Sequence, residues 1–390
     1  MNVSLSATPE DLERLRASVS GSPGDLLLDS RPGRAGSHVG QLGAWFQLIC
    51  TALRRGWRLG LTNADRPESA LTHPVVRAIS LLQSADEDLR LAARRIQHDE
   101  LDWGCQDRTG AVGHLCLDGP GGLRSRFLYL DAGQVRPDDP RPFTNVVRRA
   151  VAYLSNLPLI DQLDEVSAEG LGQILFELFQ NSHDYGRHSL VWRPLNPSLR
   201  GVAFSVHDGT ESVFTAHSLR SAWADRIFRG GGRVLELVVF DSGIGLPLGW
   251  NRLPASAGRG AEVGEVPFET EAFRVESCLQ KHRASTKPPS TGPSRESDYI
   301  HRGMGLFESL IRLSDLGGFW EVATAHVRLV RDLADKPLLA EEANARPQGA
   351  AHTALLTRES SRPLPYSAGT CFTLLVPLSG PVPTREATGR

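Results

Sequence analysis

The chain has 390 residues, of which 40% are hydrophobic and 23% are charged, and its formal net charge is −2. This composition excludes a disordered chain and predicts about two domains with a sizeable buried core. The near-neutral charge also argues against a large electrostatic footprint on nucleic acid, so we expect no polyanion as the main partner.

No segment is typical of a membrane-spanning or secreted protein. The best apolar run, Leu42–Leu53, is too short to span a bilayer, and residues 1–4 lack the charged start of a signal peptide. The five cysteines are scattered and never spaced as Cys-x-x-Cys, which indicates free buried thiols rather than disulfides or zinc ligands. We therefore predict a cytoplasmic protein that makes no membrane contact.

Residues 1–65 alternate between helix and strand patterns. The spacing of apolar residues predicts two helices and two strands, in the order Pro9–Val19, Asp25–Asp29, Gly40–Arg55 and Trp57–Thr62. Such alternation predicts a small α/β fold with helices covering one face of a sheet. The order of strand, loop, helix and further strand resembles a STAS-like module. Residues 1–136 are therefore predicted to form a regulatory or interaction domain.

The next region is predicted to be helical over residues 74–103 and to form short strands over residues 104–135. Three prolines between Asp131 and Pro142 mark the predicted domain boundary. A second, helix-rich region begins near Phe143.

The segment Leu171–Gly186 is predicted to form an amphipathic helix. Its apolar stripe consists of Leu171, Ile174, Leu175 and Leu178, and a second face carries Glu177, Asn181 and Asp184. A carboxylate and a carboxamide one turn apart suit a magnesium nucleotide site. The amide oxygen can ligate the hard cation, and the carboxylate can orient or deprotonate a water. The alternative is a helix with a solvated polar face.

A predicted buried strand, Val234–Phe240, runs directly into Asp241, which is followed by Gly243 and Gly245. An aspartate at the end of a buried strand can accept a hydrogen bond from a base amino group. The two glycines let the backbone approach a ligand closely. The alternative is an ordinary Asp-Ser-Gly turn.

Ser285–Lys287 precedes a stretch rich in proline and serine, after which Gly303 and Gly305 open another predicted helix. A glycine turn at a helix N-terminus offers unpaired N–H groups to phosphates, and Lys287 can add a positive charge. The alternative is a glycine-capped loop with Lys287 in solvent.

The last segment, Ser367–Pro377, predicts a strand opened by Gly369 and Thr370. Together the four segments resemble the GHKL superfamily, which includes sensor histidine kinases, anti-sigma-factor kinases, heat-shock chaperones, mismatch-repair ATPases and type II topoisomerases. The matching residues are Glu177, Asn181 and Asp184 of the N box; Asp241, Gly243 and Gly245 of the G1 box; Ser285–Lys287 of the lid; Arg302–Leu306 of the G2 box; and Gly369, Thr370 and Phe372 of the last motif.

The resemblance covers about residues 143–378. It implies a Bergerat fold, which is a two-layer α/β sandwich with a mixed sheet on one side and helices on the other. It also implies ATP and Mg²⁺ as ligands, with Glu177 as general base or water-orienting residue and Asn181 as magnesium ligand. Asp241 would bind the adenine amino group, supported through water by Thr370. The other implied nucleotide contacts are Asp184, Gly243, Gly245, Lys287 (to the γ-phosphate), Gly303, Met304, Gly305 and Leu306.

The chain departs from the pattern in two long segments. Residues 246–302 make a long lid with a predicted helix at Glu271–Lys281, and residues 325–366 form an insertion. The charged part of the insertion, Arg328–Arg346, is interpreted either as a helix that docks a partner or as a solvated decoration. Residues 379–390 are predicted to be a flexible tail.

Three functions remain open. The first is an ATPase in which nucleotide binding closes the lid and changes partner or dimer contacts, and the second is a kinase that phosphorylates another protein. The third is a scaffold with negligible turnover, against which Glu177 argues. His98 with its acidic neighbours is similar to a kinase H box, but the Arg/Lys-x-Pro of that box is missing, so a surface histidine is favoured. We favour an ATP-dependent regulatory protein that hydrolyses Mg-ATP and acts with a protein partner or as a homodimer.

Overall fold

A computed structural model defines the fold. It describes residues 1–29, 38–62, 71, 73–82, 91–93, 110–118, 123, 128–129, 140–155, 163–191, 193–209, 218–249, 266–279, 305–338 and 355–378. His98, Ser285–Lys287, Arg302–Met304 and the predicted tail 379–390 lie outside the described residues.

Helices and strands both occur throughout the described part of the chain. The helices are α1 Pro9–Val19, α2 Gln41–Arg54, α3 Pro74–Leu82, α4 Arg141–Ser155, α5 Glu165–Tyr185, α6 Leu219–Arg229, α7 Leu246–Gly249, α8 Phe268–Cys278 and α9 Gly305–Asp315. The strands are β1 Asn2–Ser4, β2 Asp25–Asp29, β3 Arg58–Thr62, β4 Ala111–Asp118, β5 Ser198–His207, β6 Arg233–Asp241, β7 Phe319–Ala325, β8 Val327–Asp332, β9 Thr357–Arg358 and β10 Ser367–Leu378. In this part of the chain they form two sheets, with orders β1-β2-β3 and β4-β5-β6-β10-β7-β8-β9.

Residues 1–62 form a β-α-β-α-β unit, hereafter the N-terminal unit, whose three strands pair in parallel. The four elements predicted in this region are confirmed, with bounds that agree to within a residue. The strand β1 has three residues, too few to give a periodic pattern, so the sequence does not predict it. The likeness of this unit to a STAS-like module stays a prediction.

The large sheet is antiparallel at every described pair of neighbours, so the predicted mixed sheet is wrong. The helices between β4 and β5 show why. Thr144 of α4 lies against Gly172 of α5 and Arg148 pairs with Glu165, so the two helices run antiparallel. Because such a pair returns the chain to the end of the sheet that it left, β5 enters beside β4 in the opposite direction.

Both faces of the large sheet are buried. Leu235 and Val239 of β6 pack against α4, α5 and α9 on one face, and Val238 and Phe240 pack against the N-terminal unit on the other. Apart from the buried Glu236, residues 234–240 of β6 are all apolar, which is typical of a strand covered on both faces. The predicted two-layer sandwich therefore carries a third layer. Strand β4 is an edge strand of this sheet, which thus extends across the boundary predicted at residues 131–142.

Neither interpretation of Arg328–Arg346, a partner-docking helix or a solvated decoration, fits its described part, which begins as a largely buried strand. This segment begins in β8, which pairs with β7, and continues into a turn at residues 333–335. Val327 and Leu329 both lie in the core, and this period of two outweighs the charge of Arg328 between them. Arg328 is itself buried and pairs with Glu359 at 2.7 Å. In the predicted lid, α8 confirms the helix expected at Glu271–Lys281, but the helix begins at Phe268.

Candidate functional site

Helix α5 carries the predicted acidic and amide residues. Asp164 caps the helix by accepting a hydrogen bond from the Ser167 N–H at 2.9 Å. The predicted apolar stripe is buried, whereas Glu177, Asn181 and Asp184 are half-buried on the other face. The Asn181 side-chain nitrogen donates to the carbonyl oxygen of Glu177 at 2.8 Å. With the nitrogen held in this way, the amide oxygen is the atom suited to ligate a cation.

Asp241 ends β6 as a buried acceptor. Its Oδ1 accepts a hydrogen bond from the Gly243 N–H at 2.8 Å, and the N–H of Thr370, opposite in register on β10, also donates to the carboxylate. Burial raises the pKa of Asp241 to about 6, although these two hydrogen bonds and the cations Arg200 and Arg54 lower it in part. A buried carboxylate at a strand end suits recognition of a ligand N–H group.

Gly186 brings the end of α5 against the turn after β6. A Cβ on Gly186 would overlap the Asp241 carboxyl group, and a Cβ on Gly243 would lie 2.5 Å from the Gly186 carbonyl oxygen. Any side chain at either position would push the helix and the strand apart. The C-terminal end of α5 therefore lies directly against Asp241.

Two glycines with positive φ join the ends of β6 and β10. Gly369 has a φ of +71°, and a Cβ there would overlap the carbonyl oxygen of Asp241. Gly245 has a φ of +82°, and a Cβ there would lie 2.5 Å from Thr324 Oγ1. The Thr324 hydroxyl donates to the Gly369 carbonyl oxygen at 2.7 Å. The backbone itself therefore requires glycine at both positions.

Helix α9 begins against Glu177. A Cβ on Gly305 would overlap Glu177 Oε2, so the carboxylate touches the first turn of α9. Burial raises the pKa of Glu177, and Glu308 raises it further, whereas Arg312 lowers it. Leu306 is buried in the core shared with α5. A carboxyl group of raised pKa in such a position suits proton transfer or the orientation of a water.

A buried polar network flanks Asp241 on β5. Arg200 lies opposite Asp241 in register. It donates to Tyr129 Oη at 2.8 Å and forms a bidentate ion pair with Asp118. The Tyr129 hydroxyl and His183 Nδ1 of α5 are 3.0 Å apart. This network was not predicted from the sequence, where its signal is the charged Arg200 directly before the apolar segment 201–204.

The structure assembles most of the predicted site residues around α5. Those described are Glu177, Asn181, Asp184, Asp241, Gly243, Gly245, Gly305, Leu306 and Thr370; Lys287, Gly303 and Met304 lie outside the described residues. Their roles toward a nucleotide stay predictions. No group of three or more His, Cys, Asp or Glu side chains within the described ranges could hold a metal alone. A magnesium ion at Asn181 would take its other ligands from phosphates and water, as this cation commonly does.

Comparisons with protein-family models, curated proteins and solved structures found no match. Among the described helices, none is long and apolar enough to cross a membrane.

Proposed function

We propose that this chain binds Mg-ATP along α5, in the manner of the GHKL proteins that its motifs resemble. The observation that carries the proposal is that this one helix connects two predicted motifs. It meets the start of α9 at Glu177, and Gly186 at its C-terminal end meets the turn after β6. A rise of about 1.5 Å per residue puts these positions about 14 Å apart, enough for an extended nucleoside triphosphate.

The base and the phosphates would lie at opposite ends of this part of α5. The buried Asp241 carboxylate would accept a hydrogen bond from the adenine amino group, with Thr370 beside it. Asn181 would ligate magnesium, and the positive end of α9 at Gly305 would face the phosphates. Glu177 touches the same helix end, where it would orient or deprotonate the attacking water.

We further propose that Mg-dependent hydrolysis is linked to conformational or partner switching in a regulatory protein. The raised pKa of Glu177 supports turnover, because a general base works best when its pKa lies nearer to the working pH. Transfer of the γ-phosphate to a protein is the alternative, because it needs the same base and metal ligand.

Incubation of the purified chain with γ-labelled ATP, with and without magnesium, separates these outcomes. Magnesium-dependent release of phosphate, with no label on the protein in a denaturing gel, supports the ATPase. Label retained on the chain supports phosphoryl transfer to protein instead. Absence of both products together with absence of ATP binding would contradict the proposal.

A further inference from the structure

Helix α2 of the N-terminal unit reaches the back of both strands that end at the proposed adenine site. Arg54, in its last turn, donates to the Ser242 carbonyl oxygen and, at 3.0 Å, to Ser242 Oγ. Thr51, one turn earlier and fully buried, accepts a hydrogen bond from the Ala368 N–H at 3.1 Å. Ser242 directly follows Asp241, and Ala368 directly precedes Gly369.

The contact of Arg54 bears directly on Asp241 because a peptide group is planar. The carbonyl of Ser242 and the N–H of Gly243 belong to one peptide unit, so a donor that holds the carbonyl also orients the N–H. That N–H is the donor to Asp241 Oδ1 at 2.8 Å. Arg54 thus helps to orient the Asp241 carboxylate from behind the proposed adenine site. Thr51 similarly holds the backbone just before Gly369, where φ is positive.

The other end of α2 is also fixed to the large sheet. The fully buried Glu236 of β6 accepts hydrogen bonds from the N–H groups of Gly40 at 3.0 Å and Gly43 at 3.3 Å, at the helix N-terminus. A Cβ on Gly43 would overlap Thr373 Oγ1 of β10, so helix and strand are in close contact. A helix held at both ends has little freedom to shift relative to the ends of β6 and β10.

We propose that Arg54 and Thr51 are positioning residues for the nucleotide, through which the N-terminal unit sets affinity for the adenosine part. This inference rests on the proposed function and deepens it. Because both contacts lie behind Asp241 and Gly369, their loss weakens ATP and ADP binding by the same factor. The preference between the two nucleotides, which depends on the γ-phosphate, stays unchanged.

The test compares Arg54→Met and Thr51→Val with the full-length wild-type chain by calorimetric titration with Mg-ATP and with ADP. Arg58→Met is the matched control, since Arg58 also belongs to the N-terminal unit but pairs with Asp25 at the exposed surface. Arg54→Lys keeps a charged donor at position 54, and Thr51→Ser keeps a hydroxyl group at position 51. Thermal unfolding without nucleotide measures the structural effect of each substitution.

We expect Arg54→Met and Thr51→Val each to raise Kd about threefold to tenfold for both nucleotides, with partial recovery in Arg54→Lys and Thr51→Ser and no change in Arg58→Met. Folded Arg54→Met and Thr51→Val proteins with wild-type Kd values would overturn the inference while leaving the proposed function intact. If either variant fails to fold, Arg54→Lys and Thr51→Ser decide, because the inference requires intermediate Kd values from them. Absence of nucleotide binding by the wild type would overturn both proposals together.

Discussion

At the scale of single residues, Asp241 and Glu177 are carboxyl groups placed in contrasting surroundings. Asp241 is buried among backbone donors at the end of a strand, whereas Glu177 is half-buried against the start of a helix. Burial raises the pKa of both. A buried acceptor and a carboxyl group beside a helix N-terminus suit different tasks, the first recognition and the second proton transfer.

If ATP binds as proposed, we expect the raised pKa of Asp241 to give its affinity a pH dependence. Because burial raises this pKa to about 6, the carboxyl is mainly protonated at pH 5 and mainly ionised at pH 7. Only the ionised form accepts fully from the adenine amino group, so we expect affinity to rise with pH and to be about tenfold weaker at pH 5 than at pH 7. Calorimetric titration from pH 5 to pH 8 measures this. In Asp241→Asn the dependence should vanish, and an equal slope in that variant would assign the titration to another group.

Replacement of Glu177 by Gln separates binding from turnover. The amide keeps the size of the side chain beside Gly305 but cannot take a proton. We expect kcat to fall by about a hundredfold or more while the Kd for ATP stays within about twofold. Phosphate release under saturating Mg-ATP checks the first value and calorimetry the second. Comparable loss of affinity in Glu177→Gln and Asp241→Asn would count against the role of base.

At the scale of elements, two glycines of α5 test the packing of the helix that supports the site. A Cβ on Gly172 would overlap the backbone and hydroxyl of Thr144 on α4, whereas a Cβ on Gly170 meets nothing within 4 Å. We expect Gly172→Ala to lower the free energy of unfolding by about 1–3 kcal/mol, through the forced separation of α4 and α5. Gly170→Ala should raise it by about 0.5–1 kcal/mol, because alanine is the better helix former.

Chemical denaturation of both alanine variants provides the comparison. Gly170→Ala is the control for the change of residue type, since both positions lie in the same helix. A stabilising Gly172→Ala would show that α4 and α5 do not approach as closely as described.

Elements with strong local patterns could be predicted from the sequence. The 3.6-residue spacing of Leu171, Ile174 and Leu178 gives α5, and the apolar run at Val234–Phe240 gives β6. The interpretations of Arg328–Arg346 fail because the charge of Arg328 is neutralised by residues distant in sequence, such as Glu13 and Glu359, which no local pattern reveals.

The same limit applies within the candidate site. Its backbone glycines could be predicted because Gly243, Gly245 and Gly369 lie within short motifs. The contacts of Arg200 and Arg54 could not, because they depend on strand register and on the docking of α2. The direction of β5 beside β4 was also beyond local patterns, since it follows from how α4 and α5 pair.

At the scale of the whole molecule, the N-terminal unit and the large sheet share one core. Phe46 of α2 stacks on Phe240 of β6 with ring centroids 3.7 Å apart, and both belong to the same buried cluster. We therefore expect one cooperative thermal unfolding transition for the full chain, observed alike by circular dichroism and calorimetry. Two separate transitions would show that the N-terminal unit folds independently of the sheet.

If the chain binds a nucleotide as proposed, shared packing makes that binding and the docking of the N-terminal unit reciprocal. If Arg54 and Thr51 set affinity for ATP, then bound ATP must stabilise the docked unit by the same free energy. We expect amide hydrogens of α2 to exchange more slowly when Mg-ATP is present, measured by hydrogen–deuterium exchange. Unchanged exchange in α2 at saturating nucleotide would show that nucleotide binding and docking of the N-terminal unit are not coupled.

The central claim is that ATP binds along α5 with its base at Asp241. Calorimetric titration of the wild-type chain and Asp241→Asn with Mg-ATP at pH 7 tests it most directly. We expect saturable binding of one ATP per chain, weakened about tenfold or more in Asp241→Asn through loss of a charged hydrogen bond. Absence of binding by the folded wild type, or equal affinity in both proteins, would contradict it.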